Sequence, residues 1–325
     1  MAGSELEGAA LGRRLRDGDL AAAPPALNLI EDRSARGRTQ TEALLKEVSP
    51  AALGHEAPGH LVGITGPPGA GKSSLLSMLV HEWRAAGRSV AVLAVDPSSK
   101  RSGGSLLGDR ARIDHDPRDP GVLIRSTAAG GRLGGLAVPT REAASALAAA
   151  FDVVVVETVG VGQSETDVEE VCDTVVVVVQ PGSGDTLQFI KAGIMEVPDI
   201  LVVTKSDLGA VADDACRDLT MALASLGSRG VPVVATSSSQ PPRGIDKLVA
   251  AIDAHAEQLD RPTARVRARR MSALAELVAE HGEAALRSLG GRRVAERLLA
   301  DTPTGAAVPE LVDLLREHTT AKDGA

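Results

Sequence analysis

Residues 63–73 read Gly-Ile-Thr-Gly-Pro-Pro-Gly-Ala-Gly-Lys-Ser, and no other stretch of the chain narrows its possible folds so far. Gly66, Pro67, Pro68, Gly69, Ala70, Gly71, Lys72 and Ser73 fit GxxxxGK[ST], a phosphate-cradling loop that works only between a strand and a helix. Both flanks are present. His60-Leu-Val-Gly-Ile64 reads as a strand, and Ser74 to Trp83 as an amphipathic helix. The glycines let backbone N–H groups turn toward phosphate oxygens, and the helix N-terminus adds positive potential. Lys72 is placed to reach the β- and γ-phosphates, and Ser73 to offer its hydroxyl to magnesium.

A phosphate loop leaves the base open. Thr204-Lys205-Ser206-Asp207 follows the apolar run Asp199-Ile-Leu-Val-Val203 and has the [N/T]KxD pattern of guanine readers. The Asp207 carboxylate can accept from guanine N1–H and the exocyclic amine, whereas adenine would leave it unpaired. The Lys205 stem can lie over the purine face. Taken alone, the four residues equally describe a helix cap with a solvated lysine. Farther on, Ala235-Thr236-Ser237-Ser238 follows the last apolar run, and its backbone N–H groups suit the guanine carbonyl.

Strands are expected at 60–65, 89–95, 121–125, 152–157, 174–180, 199–204 and 231–236, and helices near 71–86, 139–150, 186–196, 209–227 and 244–259. The Val-rich runs are continuous, not alternating, as in strands buried on both faces. The expected fold is therefore α/β, a mostly parallel sheet covered by helices. The chain divides into an N-terminal helical extension (1–57), a P-loop domain (58–258) and a C-terminal helical arm (259–325). In the extension, Ala21 to Pro25 is expected to break one helix, and Glu31 to Val48 to form another. In the arm, Ser272 to Leu289, 292–300 and 306–318 are expected helices. The arm is expected to lack a core of its own, and the arginines of 261–270 to form a solvated face or a partner contact.

Composition excludes several classes. With two Phe, one Trp and no Tyr, aromatic stacking on bases is not available as a route to nucleic acid. The net charge of −8 also argues against nucleic-acid or anionic-membrane binding. Apolar runs of five or six residues are too short to span a bilayer. Cys172 and Cys216, without CxxC spacing, suggest a reducing, cytoplasmic setting and no cysteine metal site.

Further acidic residues end strands, where ligands bind in such sheets. Asp96 closes the second strand, and Asp109 follows a Gly-rich stretch. Beside a triphosphate both are magnesium partners, directly or through water, and otherwise loop caps. Glu157 closes Val153-Val-Val-Val156 in the place of a DxxG element, suited to an outer-shell magnesium contact. Gly160 can offer its N–H to the γ-phosphate. Gln163 could orient the attacking water, at a spacing unlike that of small signalling GTPases. Pro181 to Lys191 is a glycine-rich loop in which Asp185 is either a helix cap or, with Lys191, a movable charge.

The set VLAVDPSS, SGGSLLGDR, VVVVETVGVGQSE, VVQPGSGDTLQFIKAGIMEVPDI and TKSD resembles the MeaB group, the methylmalonyl-CoA mutase-associated GTPases. That resemblance covers roughly residues 55–255. It implies a SIMIBI-class P-loop fold, GTP hydrolysis to GDP and phosphate, and homodimers through the C-terminal helices. It also implies a chaperone that gates cofactor loading and protection for a cobalamin-dependent acyl-CoA mutase, so that cobalamin enters only through the partner. Carried onto this chain, Lys72 and Ser73 bind phosphate and magnesium, Ser74 joins the nucleotide loop, and Asp96, Asp109 and Glu157 surround the metal. Asp185 and Lys191 couple the mutase to hydrolysis. Thr204 stands where the family more often has Asn, which predicts loss of a brace on the P-loop and lower affinity. Among other readings, a metal-centre maturation GTPase would want clustered histidines, and the seven here are scattered. Nothing marks a phosphoacceptor site for a transport-component kinase. A nucleotide-dependent interaction module with negligible turnover also fits the motifs.

Overall fold

The structure is a computed structural model and describes residues 6–96, 113–128, 136–158, 168–182, 198–225, 227–228 and 230–323. In chain order the elements are α1 (Glu7–Arg16), α2 (Ala23–Glu31), α3 (Ala35–Glu47), α4 (Pro50–Leu53), β1 (His60–Thr65), α5 (Lys72–Ala85), β2 (Val90–Asp96), β3 (Val122–Ala128), α6 (Val138–Leu147), β4 (Val153–Glu157), β5 (Thr174–Val179) and β6 (Ile200–Val203). They continue with α7 (Ala210–Ser225), β7 (Val233–Ala235), α8 (Ile245–Gln258), α9 (Arg261–His281), α10 (Glu283–Leu289), α11 (Arg292–Ala300) and α12 (Val308–Asp323). The expected helix at 186–196 lies outside the described residues.

The expected strands form one seven-stranded sheet ordered β3-β2-β4-β1-β5-β6-β7, with every pairing parallel. β1 and β5 are buried along their full length, as the continuous apolar runs require. On one side β1 pairs with β4, setting Ile64 against Glu157; on the other it pairs with β5, setting Thr65 against Val177. From β1 the chain runs out to β2 and β3, returns to β4 beside β1, and then crosses to β5, β6 and β7 on the other side, so the P-loop emerges where the strand order changes sides and ligands bind in doubly wound sheets. Val62, Ile64, Val155, Val176, Val178 and Val202 pack with Leu75, Leu79 and Trp83 of α5 and with Leu248 and Ile252 of α8.

The described residues fall into two compact units. One holds the sheet, residues 60–137 and 152–259; the other gathers 1–59, 138–151 and 260–325. In the helical unit four sequence expectations are corrected. Pro24 and Pro25 open α2 instead of breaking a helix, because the first turn needs no donor from them. The helix expected from Glu31 to Val48 is two, since Asp32 accepts from the backbone and hydroxyl of Ser34, and Ser34 caps α3 through Gly37 N. The arm has a core of its own. Leu274, Leu277, Leu286, Leu289, Leu299, Leu311 and Leu315 cluster because turns at Gly282 and Gly290-Gly291 fold the apolar stripes of α9–α12 together.

The arginines of α9 do not form one solvated face: Arg267 is exposed, whereas Arg261, Arg265, Arg269 and Arg270 bond to groups of this chain. Arg265 is 6% exposed and donates to the carbonyls of Ala57 and Gly59. Arg261 reaches Pro58 O at 3.2 Å, and Arg269 pairs with both Glu56 oxygens at 2.7 and 2.8 Å. Arg270 donates to the carbonyl of Ala300 at 3.0 Å. A guanidinium fork can donate to two main-chain carbonyls at once, as Arg265 does.

Candidate functional site

The P-loop adopts the conformation its glycines allow. Gly66 has φ 141°, and a Cβ there would stand 2.1 Å from the Val178 carbonyl oxygen, so the loop leaves β1 pressed against β5. Gly71 has φ 91° and is the N-cap of α5, so the following amides begin the helix directly. Lys72 is 8% exposed, and its Nζ donates to Gly66 O at 2.6 Å and Pro67 O at 3.1 Å. The loop's own carbonyls therefore hold the ammonium at its mouth, within a lysine's reach of any phosphate bound there.

The segment expected to read the base lies at the ends of β5, β6 and β7. Thr204 N donates to Val179 O at 2.9 Å, and Ser206 N to Thr236 O at 3.0 Å, which fixes the backbone on either side of Lys205. The Thr204 side chain corrects the expectation of a lost brace: its buried hydroxyl lies 2.6 Å from Ala70 O in the P-loop and 3.1 Å from Val179 O. A hydroxyl at this distance serves where an amide was expected. Ser237 is 2% exposed and its Oγ donates to Asp207 Oδ1 at 2.6 Å. That bond, joined by a backbone N–H and the Ser239 hydroxyl and by the nearby Arg243 charge, holds the Asp207 carboxyl below the usual range. Sequence reasoning gave Ser237 a backbone role and missed the side chain's orienting bond; Ser238 beside it is exposed. It also missed Gln180, whose Oε1 accepts from Lys205 Nζ. Its one signal was a polar residue following a run of five valines.

At the phosphate end, Ser73 Oγ lies 3.4 Å from Glu157 Oε1, bringing together a hydroxyl and a carboxylate from α5 and β4. The hydroxyls of Thr65 and Thr158, 0% and 1% exposed, have no hydrogen-bond partner among the described residues. Hard oxygen donors at the carboxyl edge of the sheet fit magnesium, which takes one or two protein oxygens and completes its shell with phosphate and water. No group of three or more His, Cys, Asp or Glu suited to a metal occurs among the described residues. For Asp96 the backbone alone is described, at the end of β2. Asp109, Gly160, Gln163, Asp185 and Lys191 lie outside the described residues.

A braced P-loop, an oriented Asp207 and an all-parallel sheet together define a SIMIBI-type P-loop GTPase. The profile of the family described as "Methylmalonyl Co-A mutase-associated GTPase MeaB" matches residues 23–288, and the chain belongs to that family. A GTPase-designated protein of Pyrococcus horikoshii is 47% identical over 211 residues, covering 65% of this chain and 64% of its own length. The methylmalonic aciduria type A homolog, mitochondrial, of Caenorhabditis elegans is 42% identical over 203 residues, covering 60% of this chain and 51% of its own. The chain thus spans less than two thirds of either relative. A crystal structure described as LAO/AO transport system kinase superposes with TM-score 0.66 at 28% identity, covering 98% of this chain and 99% of that one.

Proposed function

We propose that this GTPase serves a cobalamin-dependent acyl-CoA mutase, methylmalonyl-CoA mutase in the first instance, and gates the loading and protection of its cofactor. The observation that carries this reading is the family match over 23–288, whose description names mutase association. The site supports its nucleotide half: Asp207, oriented by Ser237, reads guanine, and the P-loop amides with Lys72 hold the phosphates. Ser73 and Glu157, 3.4 Å apart, would hold magnesium, Glu157 from its outer shell, and the ion would supply positive charge beside the phosphate oxygens; Asp96 and Asp109 would join that set directly or through water. Gly160 and Gln163 attend the γ-phosphate and the attacking water, and Asp185 and Lys191 carry the mutase's signal.

The homodimer implied by the family resemblance would use α9–α12, and a cytoplasmic setting suits the cysteine usage. The apolar stripes of those helices are already buried within the helical unit, so the dimer reading rests on resemblance alone. No helix among the described residues is long and apolar enough to cross a membrane.

Single-turnover GTP hydrolysis, with and without methylmalonyl-CoA mutase, tests the proposal. Slow intrinsic hydrolysis accelerated by the mutase supports it, as does loss of most of that acceleration in Lys191→Ala. No acceleration by any cobalamin mutase removes the partner assignment and leaves a GTPase without this role.

A further inference from the structure

Lys205 has φ 55° and is the only non-glycine residue with positive φ among those described. Side chains rarely adopt that conformation, and residues held in it concentrate at ligand sites. The backbone bonds of Thr204 and Ser206 fix the direction in which the lysine leaves the chain. They do not fix its end, because a lysine stem is long and flexible and this one is exposed. The end is fixed from two other elements. Gln180 Oε1 accepts from Nζ, and the Gly69 carbonyl of the P-loop lies 3.4 Å away.

We propose that Gln180 is a positioning residue for guanine-nucleotide binding, acting through Lys205; this rests on the guanine reading above. Gln180 is half-buried and follows β5, a strand buried throughout, so its backbone is anchored. Its amide oxygen is an acceptor that captures the ammonium. The captured stem spans from the end of β6 toward the P-loop, with its methylenes available to an aromatic base. Fixing that stem beforehand removes an ordering cost from binding, which appears as tighter affinity and slower release.

The test is binding and release of a fluorescent GDP analogue by the full chain, for wild type, Gln180→Leu, Gln180→Ala, Gln180→Glu, Lys205→Ala and Gln180→Leu combined with Lys205→Ala. Gln180→Leu and Gln180→Ala should each weaken GDP by about 3- to 10-fold, chiefly through faster release. Gln180→Glu, which keeps an acceptor, should bind within about twofold of wild type. The double variant should bind no more weakly than Lys205→Ala alone, because the glutamine acts only through the lysine. In steady-state hydrolysis the rise in KM should exceed any fall in kcat. Unchanged melting temperatures separate this from a folding defect. Additive losses in the double variant overturn the proposal, as does wild-type affinity in both Gln180→Leu and Gln180→Ala. Wild type binding ADP as tightly as GDP would instead remove the guanine reading; selective wild type with additive losses removes the role of Gln180 alone.

Discussion

The hydroxyl of Thr204 lies 2.6 Å from the carbonyl oxygen of Ala70, tying the end of β6 to the phosphate loop across 134 positions of sequence. That buried bond ties the segment carrying Asp207 directly to the P-loop. Thr204→Val keeps the shape and removes the donor, and should weaken GDP by about 10-fold, the worth of one buried hydrogen bond. Thr204→Asn should bind at least as well as wild type, since an amide can reach the same carbonyl. Titration calorimetry with GDP checks both; wild-type affinity in Thr204→Val would show that the brace carries no binding energy.

Asp207 is oriented by Ser237 at 2.6 Å, and on the reading proposed above its carboxylate would accept from guanine and be left unpaired by adenine. GDP should be preferred over ADP by at least about 10²-fold. Asp207→Asn should move preference toward xanthine nucleotides, because an amide donates where xanthine offers an acceptor. Ser237→Ala should weaken GDP without that change of base. Competition binding with GDP, XDP and ADP reads all three, and equal GDP and ADP affinity in wild type would remove the base assignment.

Lys72 Nζ is held 2.6 Å from the Gly66 carbonyl, where it can turn to a phosphate without leaving the loop. Lys72→Ala removes a positioned cation from developing negative charge and should slow magnesium-dependent hydrolysis by about 10²-fold or more. Phosphate release under saturating GTP measures it. Normal turnover in this variant would contradict the phosphate-loop reading.

Glu142 in the helical unit is 8% exposed, and burial pushes its carboxyl up to about 7, against the pull of Arg33 at 2.9 Å and with the negative charges of Glu276 and Glu42 nearby. The folded state therefore binds this proton more tightly than the unfolded chain. Its contribution to stability is present below the ordinary value of 4.5 and is lost as pH rises through about 7. Glu142→Gln should be more stable than wild type at pH 8 by on the order of 2 kcal/mol, with the difference vanishing toward pH 4.5. Urea unfolding across that range checks the sign; a wild type that gains stability from pH 5 to pH 8 relative to Glu142→Gln would reverse it.

Arg265, itself buried, donates to the carbonyls of Ala57, half-buried, and Gly59, buried. Arg265→Met keeps the packing volume and strands those carbonyls, and should cost about 2–4 kcal/mol in urea unfolding followed by circular dichroism. Stability within about 0.5 kcal/mol of wild type would return this arginine to the solvated role that composition suggested.

The sheet and its phosphate loop were legible because their signals are local. Val153 to Val156 and Val175 to Val179 can only be strands covered on both faces, and Gly66, Gly71 and Lys72 sit at fixed offsets that the loop's backbone dictates. The partners of Thr204, Ser237 and Gln180 were not legible, since each acts on a residue 25 or more positions away and no spacing rule connects them. Thr204 shows the difference most directly: by residue type it read as a lost brace, and its hydroxyl nevertheless reaches Ala70.

The sequence by itself determined the strands, the nucleotide loop and the likeness to a family, because hydrophobic period and glycine placement act within a few residues of where they are written. The tertiary structure alone decided how the terminal helices bury their leucines, why α9 carries so many arginines, and which side chains orient Asp207 and Lys205. Those outcomes depend on where distant backbone carbonyls and apolar stripes come to rest, and only closure of the chain into packed units supplies the donors, acceptors and apolar surface that satisfy them.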